Sequence, residues 1–215
     1  MKKINVLPQT FYQFECDKDL IAKILPFIEK EDYVRTDQNL SYNAPTATSR
    51  STNTTLHKEK KYIELIDWIY KCINQFKDDL ELQCEKFTIT QCWSNSAGYG
   101  QSHHQHLHPN SFLSGILYLN DSNAKTLFVG ENIWHYFNKK DKVMQIAPEF
   151  NPELNIIHQE DSVGGKLILF PSSIIHLVEP HNSFTSDRYT ISFNAFPSGK
   201  IGNMNFLTGL DIDIR

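Results

Sequence analysis

Gly98-Tyr99-Gly100-Gln101-Ser102-His103-His104-Gln105-His106-Leu107-His108-Pro109-Asn110-Ser111-Phe112-Leu113-Ser114-Gly115-Ile116-Leu117-Tyr118-Leu119 places four of the nine histidines directly before an apolar run that reads as a strand. In extended backbone, side chains alternate between faces, so residues two apart point the same way. Two pairs satisfy that spacing, His104 with His106 and His106 with His108. Either pair offers two imidazoles to one metal ion. Two imidazoles hold a divalent ion only loosely, so a further ligand must come from elsewhere. The chain supplies a candidate in Phe170-Pro171-Ser172-Ser173-Ile174-Ile175-His176, again beside an apolar, strand-like run.

The bulk properties bound the rest. A chain of 215 residues with 40% apolar and 21% charged side chains suits one domain with an ordinary core. The net charge of -4 and the lack of a basic block give no sign of nucleic-acid binding. Cys16, Cys72, Cys84 and Cys92 form no C-x-x-C pair and read as reduced, mostly buried thiols of an intracellular protein. Met1-Lys2-Lys3 is not followed by an apolar signal region, and no run is long enough to span a bilayer. The expectation is a cytoplasmic protein with no membrane partner.

Outward from the histidines, the N-terminal part reads as helical and the C-terminal part as β. Ile4, Val6, Phe11 and Phe14 alternate loosely and suggest an outer strand. Asp17 is placed to cap a helix whose face is Leu20, Ile21, Ile24 and Ile28. The stretch 36–55 is polar, long enough for a plain surface loop or a substrate-closing lid. Tyr62, Ile66, Ile69, Ile73, Phe76 and Leu80 draw one stripe along a helix from Lys58 to roughly Gln83. From Lys86 onward, Phe87–Trp93, 112–119, Thr126–Val129, Ile156-Ile157, Lys166–Phe170, Ile174–Val178 and Tyr189–Phe196 read as strands, with Ser94 to Gly100 as a turn. Helices followed by seven or eight short strands imply a mainly β protein with supporting α, a double-stranded β-helix (jelly roll) with N-terminal helices. The expected division is a single domain over 1–215. It comprises a helical support region 1–85 with the polar loop 36–55, a β-helix core 86–196 and a C-terminal tail 197–215.

The segments His106–Leu119, Gly165–Pro180 and Arg188-Tyr189-Thr190-Ile191-Ser192-Phe193-Asn194 resemble the Fe(II)- and 2-oxoglutarate-dependent oxygenases. Within them, the likeness is to the prolyl-hydroxylase-like branch and to a group common in phages and marine bacteria. It covers roughly 87–196 and says little about 1–55. The resemblance implies a metal site at His106, His108 and His176 that holds Fe(II). It implies that Arg188 clamps the distal carboxylate of the cosubstrate 2-oxoglutarate as a bidentate guanidinium, with Tyr118, Thr190 and Ser192 as further cosubstrate contacts. Catalysis would rest on the metal centre alone. It would consume dioxygen and 2-oxoglutarate, release succinate and CO2, and hydroxylate a protein side chain, such as a prolyl residue, or a small molecule. Trp93 and Tyr99 are the candidates for the substrate side.

One position departs from the family. It usually has Asp or Glu two residues after the first histidine, and here that residue is His108. Asp121 and Glu179, the nearest acids, are not at the expected offset. His104 with His106 therefore stays open as an alternative ligand pair, as does the identity of the metal. Two other readings also stand. A three-histidine, cosubstrate-free cupin-type dioxygenase explains His-x-His but leaves Arg188 and Tyr118 without a function. A non-catalytic β-sandwich module holding a structural metal would tolerate loss of Arg188.

Overall fold

The computed structural model describes residues 10–35, 47–130 and 156–214. Two sheets, paired antiparallel throughout, face each other. The larger runs in the order β1 (Tyr12–Glu15), β9 (Lys166–Pro171), β6 (Leu113–Tyr118), β11 (Arg188–Ile201), β4 (Cys84–Ala97), β3 (Ser49–Ser51) and β2 (Tyr33–Arg35), and β12 (Leu210–Ile212) pairs with the end of β11. The smaller runs β5 (His103–His106), β10 (Ile175–Val178), β7 (Ser122–Val129) and β8 (Ile156–Ser162). This is the jelly roll that the strand-rich second half implies, with helices set on one side.

The larger sheet is buried on both faces, and its strands are written accordingly. Along β11, Tyr189, Ile191 and Phe193 face the helices, while Arg188, Thr190, Ser192 and Asn194 face the smaller sheet. The outward residues join α1 (Lys18–Ile28) and α2 (Ile63–Asp79) in the main core, where Leu65, Ile66, Ile69, Cys72, Ile73 and Phe76 of α2 meet Phe87, Leu117, Leu167 and Leu169. Asp17 caps α1 as expected, its side chain accepting from the Asp19 backbone N–H at 2.7 Å. A smaller apolar cluster of Ile116, Tyr118, Phe128, Ile168, Phe170 and Ile174 lies between the sheets, with Phe128 and Phe170 meeting edge to face at 4.9 Å. Gly115 is required on β6: a Cβ there would run into the ring of Phe193 on neighbouring β11.

Three local expectations change. Ser94–Ala97 is not a turn but the continuation of β4, paired with Arg188 to Ile191 across the ladder. Asn and Ser favour turns in isolation, but here a long partner strand satisfies their backbone. The helix stripe holds from Tyr62 to Phe76, but Leu80 lies past the end of α2 and is exposed, and the start is later: two 3-10 turns, at Leu56–Lys58 and Lys60–Tyr62, precede α2. The far end of the polar loop is ordered by Ala47 bridging Ser102 and by β3 pairing β4. The rest of the proposed lid, 36–46, lies outside the described residues, as do residues 4–9 of the outer strand. All four cysteines are free, with Cys16, Cys72 and Cys92 buried. Among the described residues, no helix is long and apolar enough to cross a membrane.

Candidate metal centre

Between the sheets lies a cavity whose walls can be read from the strand registers. On the smaller sheet, His176 of β10 pairs with His106 of β5, and Val178 pairs with His103. Three residue steps along β5 therefore span two along β10, a bulge that resets the alternation. As a result His103 and His106, which simple alternation would send to opposite faces, both line the cavity, while His104 is exposed. His108 follows the end of β5. Its backbone N–H donates to the carbonyl of Ser172 at 3.0 Å, which turns its ring inward. A hydroxyl cluster braces that loop: Ser172 Oγ donates to Ser111 Oγ at 2.8 Å, and Ser114 Oγ bonds both Ser172 Oγ, at 2.8 Å, and Asn194 Oδ1, at 2.9 Å.

His106, His108 and His176 thus converge, each offering a ring nitrogen, with those atoms within 4.8 Å of one another. His176 Nδ1 lies 3.0 Å from the Ile174 carbonyl, and His106 Nδ1 lies 2.8 Å from that of His104. A carbonyl can only accept, so in the neutral rings Nδ1 carries the proton and Nε2 keeps its lone pair for a metal. The Nε2 atoms of His108 and His176 are 3.3 Å apart. Two ring nitrogens at right angles about one ion, each ~2.1 Å from it, would be ~3 Å apart. Burial, reinforced by the neighbouring His106, pushes His108 down to about 4 and His176 down to about 3. Burial likewise lowers His106. The rings are held neutral, the state a metal requires. The donor set, its tautomers and its spacing fit a divalent ion.

The larger sheet lines the opposite wall. Trp93 of β4 sits beside the histidines, its ring 5.8 Å from that of His108. Its indole N–H donates to Asn95 Oδ1 at 3.2 Å, and the Asn95 amide donates to Thr190 Oγ1 at 3.2 Å and Ser192 Oγ at 3.0 Å. Further from the histidines is Arg188, only 3% exposed. Its Nε donates to Ser162 Oγ at 3.1 Å, and its guanidinium carbon lies 5.4 Å from the centre of the Tyr118 ring. Among the described residues no carboxylate pairs with Arg188, whereas the nearby buried Lys166 is matched by Glu160. A buried guanidinium without an anion is costly, so this arrangement calls for an anionic ligand in the cavity. Burial lowers the Arg188 pKa from its ordinary value, opposed by Tyr118, yet a guanidinium stays charged.

The sequence-derived candidates divide as follows. His106, His108, His176, Arg188, Thr190, Ser192 and Trp93 share the cavity. Tyr118 is fully buried beside Arg188 but outside the lining, and its hydroxyl donates to Thr126 Oγ1 at 2.8 Å. Tyr99 is 54% exposed and stacks on Phe184 at 3.7 Å, away from the cavity lining. Sequence reasoning missed Asn95, taken as part of a turn, Thr48, in the polar loop, and His103 as an inward residue. Carrying the Phe87–Trp93 alternation two residues further would have found Asn95. Nothing local marks the other two.

Residues 91–194 match the family model described as "Putative 2OG-Fe(II) oxygenase". No curated protein matched the sequence. Among solved structures, the chain is similar to a prolyl-4-hydroxylase from Pseudomonas putida, at 16% identity over 89% of this chain and 94% of that one, with a TM-score of 0.56. It is also similar to the non-haem α-ketoglutarate-dependent epimerase SnoN of nogalamycin biosynthesis, at 11% identity over 94% and 87%, with a TM-score of 0.63. A third is HygX from Streptomyces hygroscopicus, crystallised with nickel and 2-oxoglutarate, at 10% identity over 88% and 83%, with a TM-score of 0.57. At these identities the structural likeness speaks for the fold.

Proposed function

We propose that the chain is an Fe(II)- and 2-oxoglutarate-dependent oxygenase, the family whose model residues 91–194 match, and that it is a hydroxylase acting on a protein side chain, such as a prolyl residue, or on a small molecule. The observation that carries this reading is the pairing, in one cavity, of three convergent neutral imidazoles with a buried Arg188 that has no carboxylate partner among the described residues. His106, His108 and His176 would hold the iron. Iron held there would supply, with 2-oxoglutarate and dioxygen as cosubstrates, the oxidising chemistry that couples release of succinate and CO2 to substrate hydroxylation.

The chain's own residues do the rest. Arg188 offers its forked N–H groups to the distal carboxylate of 2-oxoglutarate, a geometry suited to bidentate pairing. Tyr118, under the guanidinium, and Ser162, at its Nε, hold that fork in place. Thr190 and Ser192 present hydroxyls on the same wall, aligned by Asn95. Trp93, packed beside His108, forms the substrate-side surface nearest the metal. The apolar cluster of Ile116, Phe128 and Ile168 behind the site excludes water from the space between the sheets.

A second reading is favoured by the ligand set itself: three histidines and no carboxylate also suit a cosubstrate-free dioxygenase. Anaerobic absorption separates the two. The oxygenase reading expects a weak visible charge-transfer band only when both Fe(II) and 2-oxoglutarate are present. The band should be absent in His176→Ala and need ten- to a hundredfold more 2-oxoglutarate in Arg188→Ala, the loss expected for hydrogen bonds to a charged group. Iron binding without any effect of 2-oxoglutarate would pass the lead to the cosubstrate-free reading.

A further inference from the structure

The cavity contains a fourth imidazole that the reading above does not use. The bulge between β5 and β10 turns His103 inward, and its ring stacks on His106 at 4.3 Å. Its ring contacts are with His104 and His106, and among the described residues neither of its ring nitrogens has a hydrogen-bond partner. A polar ring built into a cavity wall without a protein partner is completed by water or by a ligand. The registers say which part of a ligand it meets. His103 pairs with Val178, one inward step along β10 from His176 and towards the Arg188 end. Val178 is paired in turn with Thr126, the residue that accepts from the Tyr118 hydroxyl. Arg188 reaches Ser162 of β8, one inward step beyond Glu160, which is the partner of that same Thr126. From one end of the cavity to the other the order is therefore the three metal-site histidines, then His103, then the Arg188 guanidinium.

We propose that His103 is a positioning residue for the keto acid: its ring N–H donates to the carboxylate at the metal-bound end of 2-oxoglutarate, while Arg188 holds the carboxylate at the other end. This rests on the assignment of the cavity as a 2-oxoglutarate site. A keto acid stretched from the metal to Arg188 must pass His103. The carboxylate nearer the histidines would present an oxygen acceptor to the His103 N–H. In a site whose three protein ligands are all neutral, this carboxylate is the anionic donor, and a hydrogen bond from His103 sets its orientation. The alternative is a packing role, in which His103 only supports the His106 ring.

Three variants separate these roles: His103→Phe keeps the stacked ring and removes the N–H, His103→Gln keeps a donor without the ring, and His103→Ala removes both. The probes are Co(II) alone, followed by its visible absorption, and then anaerobic Fe(II) with 2-oxoglutarate. The expected result is Co(II) binding within about threefold of the parent in His103→Phe. The 2-oxoglutarate Kd should rise roughly ten- to a hundredfold in His103→Phe and His103→Ala, as for a lost hydrogen bond to a charged group. His103→Gln should recover part of that loss and shift the charge-transfer band. Parental 2-oxoglutarate affinity and band position in His103→Phe would overturn the proposal, as would a loss of Co(II) binding in that variant that accounts for the whole effect. If the parent protein itself gives no keto-acid-dependent band, the underlying site assignment fails. A normal parental band unchanged in all three variants defeats the role of His103 alone.

Discussion

His108 sets the electrostatic character of the site. An acid at this position would neutralise part of a bound ion's charge, and an imidazole neutralises none. A unit charge at ~4 Å is worth roughly 4 kcal/mol at an effective dielectric of 20. His108→Asp should therefore bind Fe(II) at least roughly tenfold more tightly in the absence of 2-oxoglutarate. Anaerobic competition against a chromophoric chelator measures this, and an unchanged or weakened affinity would remove His108 from the coordination sphere. Protons compete for the same rings. Their folded values, about 4 for His108 and about 3 for His176, lie below the ordinary 6.5. Above about pH 6.5 the rings are neutral in both folded and unfolded chains and stability is full. As pH falls below that, the unfolded chain takes up protons first, so the metal-free protein loses stability steadily towards the folded values. Between pH 7 and 5 the Tm of the metal-free protein should fall, with a shallower slope in His176→Leu. Equal slopes would mean that His176 is not held neutral by the fold.

At the scale of elements, α2 and β6 do different work. The stripe of α2 is buried in the main core from Tyr62 to Phe76, with Ile69 and Ile73 fully enclosed. Ile69→Ala should cost about 2–5 kcal/mol, the usual range for truncating a large core aliphatic, and should leave metal affinity unchanged. β6 sits between β9 and β11 with no spare space at Gly115. Gly115→Ala, which drives a methyl into Phe193, should cost about 1–3 kcal/mol by overpacking. Urea unfolding with an unchanged m-value tests both. A neutral Gly115→Ala would show that the Phe193 ring can move aside.

Across the whole molecule the site joins the two sheets. His106 and His176 come from the smaller sheet, Arg188 from the larger, and His108 from a loop tied to Ser172, just beyond β9. On the proposed reading, a keto acid held by the metal and by Arg188 would bridge the two layers. It binds only the folded chain, so iron plus 2-oxoglutarate should raise stability by about 2.7 kcal/mol when free ligand is a hundredfold above its Kd. Calorimetry should show this as a rise in Tm that neither component alone reaches and that a chelator reverses. If 2-oxoglutarate without metal gives the full rise, its anchor is Arg188 and not the histidines.

Much of this was legible in the sequence, because the signals are local. Alternation of apolar and polar residues marked β6, β9 and β11, and the stripe from Tyr62 to Phe76 marked α2. The order of His106, His108, His176 and Arg188 along apolar strands was enough to nominate the site, whatever the surrounding packing. What the sequence could not reveal depends on partners far along the chain. The Ser94–Ala97 segment has turn-like composition and becomes a strand because β11 pairs with it, bringing Asn95 into the cavity. Simple alternation could not choose between His104 and His108 as the companion of His106, and it sent His103 outward. The β5–β10 bulge placed His104 in solvent and His103 in the cavity, and a loop hydrogen bond to Ser172 turned His108 inward. Side-chain alternation is a property of one strand, but register and bulges are set by the hydrogen bonds of its neighbour. The sequence by itself therefore determined which residues could carry the chemistry, and only the tertiary structure decided which of them face one another.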